Sequence, residues 1–185
     1  MLRRRKDVDW SRVLPAEDLV HLVRRIEPDE WYPMSAFEHL GVAILTHVDG
    51  ATLNAVRMWG HFSASQFAQD HPDLVAPDEP VETLMRLRVL RGTLFDFPAF
   101  DIPMLVEGQA YVMMSYQMQP IAEEAACFQT LGFCEGVLSL AGASDVRAGF
   151  AERSWAGDAR TRLVLEWDAP APSSRAAPSS RSRGG

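Results

Sequence analysis

One stretch of the sequence, from Pro120 to Asp168, constrains the fold most, because its apolar residues recur first with a helical and then with a strand period. Between residues 127 and 141 they recur at steps of three and four, and a second apolar stripe runs beside the first. A helix that is apolar around so much of its circumference is buried. Gly132 and Gly136 each cost about 1 kcal/mol relative to alanine, so they predict the close approach of another backbone. Gly142 is a natural end for this helix.

Two strands follow the helix. Apolar side chains alternate with polar or small ones over residues 146–150 and again over residues 161–167, which is the period of a β-strand. Gly157 and Asp158 lie between them and supply the residues of a turn. We therefore predict a hairpin with one apolar face on the helix. We expect the small residues of the helix to seat it tightly against the sheet.

Four helices and a first hairpin precede this unit. The helices are predicted over residues 15–26, 35–48, 51–69 and 81–92, and the hairpin over residues 104–118 with its turn at Glu107-Gly108. Ser35 and Glu38 have the spacing of a capping box at the start of the second helix. The fold class is α+β: N-terminal helices packed on a four-stranded antiparallel sheet, in the order α-α-α-α-β-β-α-β-β. Residues 1–14 are a charged N-terminal lead, residues 15–168 a single domain, and residues 169–185 a disordered tail rich in Pro, Ser and Arg.

The late helix and its hairpin resemble a known domain. Cys127, the three helix glycines, a following strand, Gly157-Asp158 and a closing strand are similar to the C-terminal half of the 4-vinyl reductase (V4R) domain. The superfamily of that domain also includes haem-nitric-oxide-binding domains and the core subunits of the TRAPP tethering complex. The whole chain, including Trp31-Tyr32-Pro33, also resembles a myxobacterial paralogous family of unassigned function. The resemblance implies a bacterial regulatory domain that works in signalling and pairs through its helices as a dimer.

The distribution of charge excludes some partners. The net charge is −7, and seven basic residues lie in the terminal segments 3–6 and 175–183, so the remaining body carries about −14. A body this acidic argues against a groove for nucleic-acid phosphates. No apolar run approaches the roughly 18 residues that a membrane span needs. No apolar segment of a signal peptide follows the basic N-terminus, so we expect a cytoplasmic protein.

No metal is predicted. In the phenol-sensing relatives of the V4R domain, zinc is held by a helix cysteine, a strand glutamate and two later cysteines. The resemblance places Cys127 at the first position, but Phe150, Arg153 and Thr161 at the other three. One ligand of four cannot hold structural zinc. Cys134 would lie about 10 Å further along the helix, so we expect no disulfide and two buried, unreactive thiols.

No cofactor is predicted either. The haem-binding relatives use a helix histidine and a Tyr-x-Ser-x-Arg motif, and that motif does not occur in this sequence. All five histidines lie in the N-terminal half, and His61, near Trp59 and Phe62, is the most ligand-like of them. We expect it to be an ordinary surface histidine.

Catalytic motifs are also missing from the sequence. It has no nucleophile elbow, no phosphate-cradling glycine loop and no His-x-x-x-His or Cys-x-x-Cys pair. Glu123 and Glu124 are adjacent, so on a helix they project about 100° apart and do not form an acid/base pair. We expect no enzymatic activity.

Two functions remain. The main hypothesis is a non-enzymatic regulatory or adaptor domain that contacts another protein or a second copy of itself, with Trp31, Tyr32 and Met58 at the interface. The alternative is a sensor domain that binds a small apolar molecule in a cavity between helices and sheet. The candidate residues for such a cavity, which otherwise fill the core, are aromatic or methionine: Trp59, Phe62, Phe100, Tyr111, Met113 and Phe128.

Overall fold

The computed structural model describes residues 6–25, 27, 30–48 and 50–168 of the chain. The helices and strands within those residues are α1 (Val20–Val23), α2 (Met34–His47), α3 (Leu53–Asp70), α4 (Pro80–Leu90), β1 (Phe100–Val106), β2 (Gln109–Met114), α5 (Pro120–Leu140), β3 (Ser144–Glu152) and β4 (Thr161–Asp168). This order confirms the predicted α+β class. The predicted tail, residues 169–185, lies outside the described residues. No helix in the described part of the chain is long and apolar enough to cross a membrane.

The strands form one antiparallel sheet in the order β1-β2-β4-β3. Residues along the central strands point alternately to two faces of the sheet, as a period of two requires. The inner face is buried in the main core, and the outer face is more exposed. The inner residues of the two central strands are Ala110, Val112, Met114, Leu163, Leu165 and Trp167. Pro103 lies in the edge strand β1, where its missing N–H is tolerated, and the register between β1 and β2 shifts at that point.

Helix α5 lies between the sheet and α3. A Cβ atom at Gly132 would collide with the carbonyl of Arg57, and one at Gly136 with the carbonyl of His61. Gly60 of α3 approaches the backbone of α5 equally closely. The predicted close approach is therefore confirmed, but the expectation that it faces the sheet is wrong. Two helix backbones in van der Waals contact require residues without a Cβ, whereas the side-chain surface of a sheet does not.

The ends of α5 and of the second hairpin are formed by the predicted residues. Gly142 has a φ of +84°, and the N–H of Ala143 donates to the carbonyl of Leu138 at 3.1 Å, which satisfies one of the last helix carbonyls. In the hairpin turn Gly157 has a φ of +103°. The carboxylate of Asp158 accepts a hydrogen bond from the backbone N–H of Arg153 at 2.6 Å. Both turns thus rest on the glycines and on one short polar side chain.

Two predictions for the N-terminal part are wrong. The sequence predicts a helix over residues 15–26, but among the described residues of that range only Val20–Val23 is α-helical. Asp18 is buried with its carboxylate 2.6 Å from Nδ1 of His39, so a contact with α2 replaces the regular first turn. The capping box at Ser35 is not formed, because α2 begins at Met34 without a side-chain cap. Glu38 instead accepts a hydrogen bond from the backbone N–H of Gln119 at 3.0 Å and so ties α2 to the start of α5.

The described part of the charged lead packs on the domain. Leu14 is buried with Ala43 of α2, and Trp10 contacts the same small cluster. The edge of the Trp10 ring also meets His47 at a centroid distance of 6.0 Å. Helix α2 is therefore covered on this side by the chain that precedes it.

Candidate ligand pocket

A cavity of about 580 Å³ lies between the N-terminal helices and α5, next to the start of β1. Its floor contains the buried residues Phe100, Tyr116 and Cys134. Exposed residues form its mouth, among them Trp31, which is 65% exposed. This volume falls within the range of roughly 300–1,000 Å³ that small-molecule sites occupy. We refer to this space as the central cavity.

Aromatic side chains dominate the lining of the central cavity. They come from the segment before α2, from α2, α3 and α5, from the loop that enters β1 and the first residue of β1, and from the link between β2 and α5. This aromatic wall consists of Trp31, Tyr32, Phe37, Phe67, Phe95, Phe97, Phe100, Tyr116 and Phe133. The ring of Phe95 packs edge-to-face on its neighbours, with centroid distances of 5.6 Å to Phe97 and 5.9 Å to Tyr116. Such contacts fix ring orientation, so the wall is an ordered surface.

The hydroxyl of Tyr116 is the buried polar group of the floor. It lies 2.5 Å from Oγ1 of Thr130, and Thr130 in turn donates to the carbonyl of Ala126 at 3.0 Å. Because the Thr130 hydroxyl donates its hydrogen bond to the carbonyl of Ala126, the phenol of Tyr116 must be the donor to Thr130. The lone pairs of the Tyr116 oxygen therefore remain available. Desolvation by burial raises the pKa of Tyr116 far above its usual value, so the phenol is neutral.

A buried carboxylate fixes the position of Tyr116. Glu123, in the first turns of α5, accepts hydrogen bonds from the backbone N–H groups of Tyr116 at 3.0 Å and Met118 at 3.1 Å. Between these two residues Gln117 adopts a φ of +59°, a conformation that is unfavourable without such support. The link from β2 to α5 is therefore tied down at the floor of the central cavity.

The remaining polar groups of the lining are the hydroxyl of Ser63, two amides and three carboxylates. Gln66 and Gln129 line the central cavity, and their side-chain amides make no hydrogen bond to any residue that the structure describes. Glu30, Asp70 and Asp96 are exposed at its rim. No lysine, arginine or histidine is among its described lining residues. The electrostatic environment of the central cavity is therefore acidic.

A second, smaller cavity of about 280 Å³ lies on the other side of α2. Its lining is almost wholly apolar and includes Leu40, Ile44 and Trp59. It shares Phe37, Ala126 and Gln129 with the central cavity. Helix α2 therefore has an incompletely filled space on each side of its first turns.

Only one of the six residues predicted to bind a ligand lies in the central cavity. That residue is Phe100. Trp59 lines the second cavity, and Phe62 is 62% exposed on the surface of α3. Phe128 packs instead against Phe150 near the second hairpin, at a centroid distance of 5.1 Å. The prediction of a single cavity formed by all six residues is wrong.

Tyr111 and Met113 lie on the outer face of the sheet. Tyr111 is opposite Val164, Met113 is opposite Arg162, and the guanidinium of Arg162 lies 5.5 Å from the centroid of the Tyr111 ring. Strand alternation defines two faces but does not say which of them turns inward. The alternate residues of β2, Ala110, Val112 and Met114, are all apolar, and they are buried. The face with Tyr111 lies outside, because the guanidinium of Arg162 beside it keeps more of its hydration there.

The residues predicted for an interface have mixed positions. Met58 is 62% exposed on α3. Trp31 and Tyr32 belong to the aromatic wall, and the Tyr32 hydroxyl accepts a hydrogen bond from the backbone N–H of Glu27 at 2.9 Å. Sequence reasoning missed Phe95 and Phe97 as pocket residues. Their clustering with Phe100 in a proline-containing loop was the available signal, because loops that join rigid elements often carry binding residues.

Within the described residues, no group of three or more metal-binding side chains converges. Cys127 and Cys134 are buried free thiols. Desolvation by burial raises the pKa of each thiol to about 12. Both are therefore thiols rather than thiolates near neutral pH, which is the unreactive form.

Comparison with known proteins shows the fold. No protein-family model matches the sequence, and no curated protein matches it. Among solved structures, an H-NOX protein from S. oneidensis in the Fe(II) ligation state is 14% identical with a TM-score of 0.61, over 88% of this chain and 84% of that one. An H-NOX structure from T. tengcongensis is 16% identical with a TM-score of 0.60, over 91% of this chain and 94% of that one. The chain therefore has the fold of haem-NO-binding domains, and the resemblance to V4R, TRAPP and myxobacterial proteins stays a prediction.

The fold implies a haem, and the central cavity does not fit one. Haem iron is usually held by histidine, or by a cysteine or tyrosine in its anionic form. None of the described residues that line either apolar cavity is a histidine. Cys134 and Tyr116 do line the central cavity, but the hydroxyl of Tyr116 is already bonded to Thr130, and both side chains are buried beneath the apolar lining. No cationic side chain in the described lining can pair with haem propionates, and the rim carboxylates would repel them.

The histidines of the described structure make contacts with other side chains of the domain. His39 is held against Asp18, His47 meets Trp10, and the ring of His71 lies 4.2 Å from that of Phe67, measured between centroids. His61 is exposed on α3 and lines a polar surface groove beside Arg57. The ring of His21 likewise lies 5.6 Å from that of Tyr32 between centroids, so His21 and His71 contact the aromatic wall, but neither is among the described residues that line the central cavity.

Proposed function

We propose that this chain is a non-enzymatic sensor domain that binds a small, mainly apolar molecule in the central cavity. The observation that carries the proposal is the cavity itself, about 580 Å³ in volume and lined by the aromatic wall. Native cores are packed as densely as organic crystals, so a space of this size lined by ordered rings is typical of a binding site. The H-NOX fold supports the same function, because its solved members include an Fe(II)NO complex.

Helix α2 is the element that would transmit binding. Met34 and Phe37 of its first turn line the central cavity, and Ala36 and Ala43 are its only buried residues. A ligand in the cavity would supply packing partners that this turn lacks, and would favour conformations in which α2 is held against α5. The hydrogen bond from Gln119 to Glu38 gives that movement a fixed connection to the start of α5.

The test is to fill the central cavity from within. Ser63 lines it from α3, and the Ser63 hydroxyl bonds only to the carbonyl of Gly60 in the same helix. We expect Ser63→Phe to abolish the fluorescence increase of the apolar dye Nile red while circular dichroism shows an intact fold. Ser65→Phe, on the same helix but outside the lining, is the matched control and should bind the dye normally. Undiminished dye binding by a folded Ser63→Phe protein would overturn the proposal.

A second candidate function is contact with another protein or with a second copy of the chain. It is favoured by three neighbouring exposed side chains on α3, Met58, Trp59 and Phe62. Light scattering after size-exclusion chromatography tests the homodimer, and a monomer at micromolar concentration would count against it. The homodimer and the cytoplasmic location stay predictions.

A further inference from the structure

The aromatic wall and the rim of the central cavity together define the charge of its ligand. Aromatic rings present a negative face, which attracts a cation lying within about 6 Å of the ring centroid. Nine aromatic residues line the central cavity, and they come from α2, α3, α5, β1 and the segments that adjoin them. A site lined by several rings is the arrangement that proteins use to recognise ammonium groups.

The charged groups of the described lining are all acidic. Asp70 and Asp96 have no ion-pair partner among the described residues, whereas Glu30 pairs with Arg24 at 2.7 Å. No described lining residue carries a positive charge. An anion entering the central cavity would meet unpaired carboxylates and ring faces of the same sign. A cation would gain from both.

The free polar atom at the floor, the Tyr116 oxygen, also suits a donor. The Tyr116 oxygen keeps its lone pairs because its proton is directed to Thr130. The amides of Gln129 and of the exposed Gln66 also line the cavity and can accept or donate hydrogen bonds. An N–H or polarised N–CH₃ group is matched by the Tyr116 oxygen, which has no proton left to donate to a carboxylate.

We propose that the ligand of the central cavity is an apolar organic cation, an aryl or alkyl body that carries one ammonium group. This inference rests on the proposed sensor function and names its ligand class. It also accounts for the mismatch with haem, whose propionates carry the opposite charge. The apolar body contacts the rings, and the ammonium lies between the aromatic wall and the carboxylates of Asp70 and Asp96.

Three probes of nearly equal size separate the possibilities. Phenyltrimethylammonium is the cation, tert-butylbenzene is its neutral isostere, and benzoate is an anion with the same ring. Titration with each, followed by tryptophan fluorescence, is expected to give binding about tenfold tighter for the cation than for the neutral isostere. Binding of benzoate is expected to be undetectable. The preference for the cation should fall as salt is raised, because the carboxylates are exposed.

Isosteric variants then locate the source of the preference. In Asp70→Asn/Asp96→Asn the affinity for the cation should fall about fivefold to tenfold, while that for tert-butylbenzene stays the same. Glu107→Gln/Asp145→Asn removes the same net charge from residues that do not line the central cavity, and should leave both affinities unchanged. Phe97→Leu should weaken the cation more than the neutral isostere.

The outcomes distinguish this inference from the proposed function. If tert-butylbenzene or benzoate binds as tightly as the cation, the charge assignment is wrong and the sensor proposal stands. If the two double variants weaken the cation equally, the effect is one of net charge and the assigned site is wrong. If neither the cation nor its neutral isostere binds, both the ligand class and the proposed function are overturned.

Discussion

Replacement of Gly132 by alanine tests the packing on which the whole domain depends. In an isolated helix the substitution would stabilise by about 1 kcal/mol, because glycine is a poor helix former. In this structure the new Cβ would overlap the backbone carbonyl of Arg57, which cannot move like the end of a flexible side chain. Helices α3 and α5 must therefore separate along their contact.

The expected magnitude follows from these two opposing effects. Overpacking of a well-packed core costs about 1–3 kcal/mol, and a clash with backbone lies at the upper end of that range. With the gain in helix propensity subtracted, Gly132→Ala should lower the free energy of unfolding by about 2 kcal/mol. At a typical urea m-value this moves the unfolding midpoint down by about 1 M.

Gly41 provides the matched control for this substitution. It lies within α2, and a Cβ added there would meet nothing within 4 Å. Gly41→Ala should therefore raise the free energy of unfolding by about 0.5–1 kcal/mol. Equilibrium urea denaturation followed by circular dichroism measures both variants. If Gly132→Ala proves as stabilising as Gly41→Ala, helices α3 and α5 do not approach as closely as described.

Two other predictions concern buried polar groups. Glu123→Gln keeps the shape of the side chain but leaves one of the two backbone N–H groups, at Tyr116 or Met118, facing an amide NH₂. We expect the free energy of unfolding, measured by urea denaturation, to fall by about 1–3 kcal/mol. An unchanged midpoint would refute the role of this carboxylate. Cys127 and Cys134, with pKa values raised to about 12, should resist alkylation at pH 8 in the folded protein and react fully in urea, as counted by intact mass. Rapid alkylation of the folded protein would contradict the burial of these thiols. The folded state also keeps the thiol protons at pH values where the unfolded state loses them, so the free energy of unfolding should fall as the pH rises from about 9 towards 12.

The sequence predicted best those elements whose signals are local and strong. The apolar residues of α5 recur with the period of a helix, and those of β3 and β4 with the period of a strand. These two periods differ, so each pattern specifies the type of its element. Gly142 and Gly157 marked their turns for a conformational reason, since both adopt positive φ. The prediction of the first helix was wrong because the contact between Asp18 and His39 joins residues 21 positions apart in the chain, and no local pattern reveals such a contact.

The ligand pocket was less predictable for a physical reason. Its lining comes from separate segments of the chain, so the aromatic wall exists only after α2, α3 and α5 have assembled. The sequence suggested a cavity between helices and sheet, but it assigned Tyr111 and Met113 to the inner face. That choice depends on which face of β2 meets α5. Either face would satisfy a period of two, and only the tertiary packing decides between them.

Native mass spectrometry combined with an absorbance spectrum tests the central claim most directly. Protein purified without denaturation, or exposed to a small-molecule extract of its native cell, should carry a non-covalent adduct of defined mass and show no Soret band. The same adduct should be missing from Ser63→Phe and present on Ser65→Phe. An adduct with the mass of haem and a Soret band would contradict the account of the cavity. A wild-type protein that retains nothing and takes up nothing would contradict its function as a sensor.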